Sequence, residues 1–136
     1  MTKIVRSKIA EGYIDVAVAV LIIVFLIALI ISLWSIITLK QDMEYICGEL
    51  IEIATVSGRI GPEVEQRFEE LCDEVGFVPT LTFETKFYSA SDKKVQYADV
   101  IVCNLTHKLS LPGFGGYKFP FDVTVRESGL SRVYWK

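Results

Sequence analysis

The chain has one histidine, His107, and three cysteines, Cys47, Cys72 and Cys103, so side chains able to ligate a soft metal or act as base and nucleophile are scarce. There is no His-Glu-x-x-His pair, no Gly-x-Ser-x-Gly elbow and no glycine-rich phosphate loop closed by lysine. Cys103 and His107 lie in a stretch with the alternation of a strand, which holds residues four apart at about 13 Å, too far to share one metal ion. His107 reads as a half-buried structural residue, and the chain as a non-enzyme with no cofactor and no metal. Positive charge is also thin, with 14 Lys and Arg against 17 Asp and Glu and no basic patch beyond the N-terminal run, so nucleic acid is not an expected partner. No internal repeat or low-complexity tract is present.

What the chain does have is apolar surface in excess. It is 51% hydrophobic and 23% charged, with a mean hydropathy of +0.41. The excess is local: from Val16 to Ile37 only Ser32 and Ser35 are polar and nothing is charged. About 20 such residues cross a hydrocarbon core as a helix. The apolar region of a cleavable signal is shorter, about 7–15 residues, and ends at a small-residue site, whereas this run ends in Trp34 and Ser35. An uncleaved single span is therefore expected. Lys3, Arg6 and Lys8 precede it, while Lys40 on the far side is followed by Asp42 and Glu44, which keeps the N-terminus cytoplasmic and places the remainder outside.

Beyond the span an apolar stripe continues at helical spacing through Leu39, Met43, Ile46, Cys47, Leu50, Ile53 and Ala54, with Glu44, Glu49 and Glu52 on other faces. One helix is expected from near Tyr13 to near Val56. Gly58 supplies a stop and Pro62 a first turn for a second helix, which presents Val64, Phe68, Leu71, Cys72 and Val75 on one face and closes at Gly76. After Pro79 the period changes to two. Leu81 to Phe87, a long stretch from Val95 to Leu109, Lys118 to Arg126 and Ser131 to Trp135 read as strands, with a turn at Glu127–Ser128–Gly129. The expected class is α+β: a leader over 1–10, a transmembrane helix over 11–39, and an extracytoplasmic head over 40–136. The head carries the amphipathic helix to about 57, a helix over 62–75 and an antiparallel meander over 80–135.

Three groups of residues stand out in the head and at its margin. Cys47 and Cys72 sit on two successive helices and could close a loop of about 25 residues as a disulfide, stabilising by about 3 kcal/mol; three buried free thiols are the alternative. The loop Leu111–Pro112–Gly113–Phe114–Gly115–Gly116–Tyr117 lacks lysine and a following helix, so it is a loop between strands whose Phe114 and Tyr117 are candidates for contact with a partner. Asp15, a carboxylate at the edge of the apolar run, marks at the least where the span begins.

A basic leader, a small residue, a short polar stretch and a hydrophobic helix running into an outer head resemble type IV pilin precursors and pseudopilins. "EGYIDVAV" near the start and "SRVYWK" at the end resemble, more narrowly, small membrane proteins of Gram-positive conjugative elements related in layout to TadE-type minor pilins. The resemblance implies a cut between Ala10 and Glu11 by a prepilin-type peptidase, which makes Asp15 the fifth residue of the mature chain. Ala10 departs from the usual Gly, and Glu11 from the usual Phe or Met. It implies too that Asp15 pairs with the free amino group of Glu11 on a neighbouring subunit and fixes register. The partners implied are further copies of the chain, other pilin-like subunits, an inner assembly platform and membrane lipid, in a surface filament or a conjugation or secretion apparatus. A plain single-pass anchor carrying an extracytoplasmic binding or adaptor domain is the alternative.

Overall fold

The computed structural model describes the backbone of residues 2–112 and 116–136, with side chains described for 12–111 and 116–136. Two compact units divide after Ile37. A single helix, α1 (Thr2–Ser57), supplies the described residues of the first unit and opens the second. It begins further toward the N-terminus than the expected Tyr13. None of the four prolines lies within α1, so no missing N–H interrupts its hydrogen bonding.

In the second unit, the head, one stripe of α1 is buried. Met43, Ile46, Cys47, Leu50 and Ala54, spaced by three and four, are fully enclosed. α1 ends where Gly58 takes φ 65°, and α2 (Pro62–Val75) starts with proline at its first position, where a lost N–H costs nothing. Gly76, at φ 80°, caps α2 by donating its N–H to the Cys72 carbonyl at 2.9 Å. Val64, Leu71 and Cys72 are the buried face of α2. Arg67 ties it to α1 through Glu49 at 3.4 Å and braces Glu70 at 3.1 Å.

The strands are β1 (Thr80–Thr85), β2 (Phe87–Ser89), β3 (Lys94–Val95), β4 (Val100–Pro112) and β5 (Lys118–Leu130). They form two antiparallel sheets, one of three strands in the order β1-β4-β5 and a β2-β3 hairpin. β1 pairs with β4 only over Ile101 to Thr106, whereas β4 and β5 pair along their full lengths. Ile101, Cys103 and Leu105 of β4 and Val123 and Val125 of β5 face the helices and complete the core. On the outer face Glu84 accepts from Asn104 Nδ2 at 2.9 Å and Arg126 Nη2 at 3.0 Å, a polar rung across all three strands.

Four strand expectations are corrected. The strand expected over Leu81 to Phe87 ends at Thr85, and Phe87 opens β2 in the other sheet. The long strand from Val95 splits, because Ala98 adopts φ 65° and residues 96–99 turn before β4 begins. The expected turn at Glu127–Ser128–Gly129 is instead the end of β5, where glycine is needed for a different reason: a Cβ on Gly129 would lie 2.7 Å from a methyl carbon of Ile51 and of Thr55. Ser131–Trp135 is not a strand but an irregular segment held by side-chain bonds.

Candidate functional site

The first unit presents an uncovered apolar helix. Residues 12–31 are all exposed within the chain, and the helix is long and apolar enough here to cross a membrane, with a mean hydropathy of 3.4 over 18 residues. Length and composition of this kind fit a membrane anchor and a signal sequence alike. Ser32, one of its two hydroxyl residues, donates to the Ala28 carbonyl at 3.0 Å and so carries no unmet donor on the helix surface. Asp15 is the one charged side chain between Gly12 and Ile37, and it is exposed. The side chains of Ala10 and Glu11 lie outside the described residues.

In the head the cysteines are all buried free thiols. The Cys47 thiol donates to the Cys103 carbonyl at 3.3 Å, so α1 brings Cys47 against β4. The hydrogen-bonding contact with Cys47, together with burial, pushes the Cys103 thiol well up. Burial likewise pushes Cys72 up, reinforced by the negative charges of Asp73 and Glu69. His107 packs against Phe77, ring centroids 4.8 Å apart. Among the described residues no three His, Cys, Asp or Glu side chains cluster as a metal site.

Two further features were not read from the sequence. An open cleft of about 710 Å³ lies beside α1, lined by Gly48, Glu52, Thr55, Tyr97, Ser128 and Arg132 among others. Its buried hydroxyls are already engaged, Thr55 donating to the Glu52 carbonyl and Ser131 to that of Val95. The second feature is a C-terminal clamp. Trp135 Nε1 donates to the carbonyls of Gly58 and Val95, each at 3.1 Å, and Gln96 accepts from the Trp135 N–H at 2.8 Å while donating to its carbonyl at 3.0 Å. Lys94 lies 4.6 Å over the Trp135 ring. The clamp needs Gly58, since a Cβ there would come within 2.5 Å of Val133 Cβ. A lone Trp beside Lys at the chain's end was the available signal; its partners, scattered across the sequence, were not. Phe114 lies outside the described residues, while Tyr117 is 76% exposed.

The chain belongs to a family described as a domain of unknown function (DUF4320), whose model matches residues 20–136. That stretch takes in most of the apolar run and the whole head, and begins after Asp15. Neither a curated protein nor a solved structure matches the chain.

Proposed function

We propose that the chain is a membrane-anchored structural subunit that assembles through its N-terminal helix, in the manner of pilin-like and pseudopilin proteins, within a surface filament or a conjugation or secretion apparatus. The observation that carries this reading is the uncovered apolar helix over residues 12–31 with one carboxylate on it. Apolar surface on that scale is stable only against lipid or against other apolar helices, and the same surface serves both before and after assembly. A carboxylate inside hydrocarbon costs about 2.5–3.5 kcal/mol on insertion scales, which favours any packing that offers it a cation. In this reading the N-terminus is cytoplasmic, the head is outside, a prepilin-type peptidase frees the amino group of Glu11, and Asp15 pairs with that group on the next subunit.

N-terminal sequencing of the native protein tests the processing step, with Glu11 expected as the first residue. Asp15→Ala is expected to leave insertion intact and abolish cross-linked multimers. Retention of Met1 to Lys8 in cells carrying the whole apparatus, with multimers undiminished in Asp15→Ala, would sink the assembly reading. The cleft beside α1 favours a second reading, a single-pass anchored binding or adaptor domain, in which Asp15→Leu is harmless and an unrelated apolar helix replaces the span without loss of function.

A further inference from the structure

The inner face of the three-stranded sheet is covered along only part of its length. Cross-strand partners in an antiparallel pair point to the same side. The register thus puts Leu105 with Val125, His107 with Val123, Leu109 with Phe121 and Leu111 with Phe119 on one face. Leu105, Val123 and Val125 are buried in the core, and Phe77 closes over His107. Beyond that point the cover ends: Phe119 is 61% and Phe121 46% exposed, and Leu109 and Leu111 are half-buried. β1 has already stopped pairing at Thr106, so this part of the sheet is a two-stranded ribbon. Its opposite face carries Lys108 across from Asp122 and Ser110 across from Pro120.

The direction of the ribbon within the head follows from two contacts. Gly129, paired with Ile101, lies against Ile51 and Thr55, while the carbonyl of Cys103 meets Cys47. Moving along β4 from Ile101 to Cys103 therefore moves back along α1 toward Thr38, where the helix enters the head. Leu111 is a further eight residues on, about 26 Å of strand. Thr38 is nine residues before Cys47, about 14 Å of helix. The ribbon is long enough to bring its apolar end level with Thr38 even if it crosses the helix obliquely, and Thr38 directly follows the apolar run.

We infer that Leu109, Leu111, Phe119 and Phe121 form a foot that rests in the headgroup and upper acyl region of the bilayer holding the anchor, flanked by Tyr117 and Lys118. The inference rests on the anchor reading above. Aromatic rings beside aliphatic side chains and lysine are the composition that partitions to this interface, the rings occupying the boundary while the amines remain hydrated. A foot of this kind adds a second point of contact between the chain and the bilayer.

The test uses the full chain reconstituted into vesicles of phosphatidylcholine and phosphatidylglycerol, with and without phosphatidylcholine brominated on its upper acyl chain. The native protein reports the anchor, because Trp34 lies in the apolar run. A Trp34→Phe background retains Trp135, held at the Gly58 end of the head, as a reference that the brominated lipid should not quench. Phe119→Trp in that background, and Phe121→Trp as an independent second probe, are each expected to add emission that the brominated lipid removes. If the native protein is quenched through Trp34 but neither added indole is, the foot is refuted and the anchor stands. If Trp34 itself is not quenched, the anchor reading falls and takes the foot with it. Indoles shielded from aqueous iodide yet untouched by brominated lipid would mean that a second copy of the chain covers the strip, which also overturns the inference.

Discussion

The two parts of α1 have nearly the same raw material and opposite fates. Residues 16–37 carry no charge and are almost all exposed, whereas between Met43 and Ala54 the apolar residues are confined to one stripe and that stripe is enclosed. The difference lies in the charged residues. Asp42, Glu44, Glu49 and Glu52 leave the later segment a single apolar face, and a single face can be matched by one sheet and one helix of the same chain. A helix that is apolar all round has no single face for one sheet and one helix to match, and residues 12–31 stay uncovered within the chain.

The largest effects should come from deletions on the enclosed stripe. Leu50→Ala is expected to destabilise the head by about 2–5 kcal/mol in urea unfolding, while Leu26→Ala on the uncovered part leaves the midpoint unchanged. Equal shifts for the two would erase the contrast. Leu26→Arg sharpens it from the other side: a cation at mid-run costs about 2.5–3.5 kcal/mol of insertion, so a larger share of the protein than of the native chain should be released by alkaline extraction, with its head still folded. Trp135→Phe removes two hydrogen bonds and retains the ring, and a loss of about 1–2 kcal/mol is expected from the same unfolding curves.

The smallest effect concerns pH. Cys72 has its pKa raised by burial, so above about pH 8.5 the unfolded chain loses this proton while the folded head keeps it. Fewer protons on the unfolded state mean that stability falls as pH rises through that value, and the contribution is fully present below it. The melting temperature of the head should therefore drop between pH 8 and pH 10, and Cys72→Ala should make that slope shallower while leaving the share of the raised Cys103 thiol.

How much of this was legible in the sequence depended on the range of the interactions involved. α1, α2 and their glycine stops were readable because helix periodicity and proline and glycine preferences act within a few residues. The core stripe from Met43 to Ala54 was readable for the same reason. Alternation located β1, β4 and most of β5 but ran past Ala98, since a left-handed alanine has no local signature and the turn there is held by bonds to Ser131, more than thirty residues away. Gly129 misled for a related reason: it looked like a turn glycine and is a contact glycine, required by methyl groups more than seventy residues away. The apolar strip on the ribbon was visible as alternation on both sides of the Gly-rich loop. That it lay beyond the cover of the core depended on where β1 ends and where Phe77 sits. The proposed role of Asp15 rests on resemblance and lies before the stretch that the family model matches.

The clamp at Trp135 has a consequence for the order of folding. Its bond to Gly58 joins positions 77 residues apart, and its bonds through Gln96 and Val95 join positions 39 and 40 apart. Closing loops of that size costs chain entropy before the contacts return anything, so such contacts tend to form late. The helical hairpin of α1 and α2 has short-range contacts to form first, and the sheet then closes over it, with the last residues acting as a latch. Amide exchange should accordingly be fastest around residues 131–136 and slowest along the Met43 to Ala54 stripe, with the head opening from its C-terminal seam.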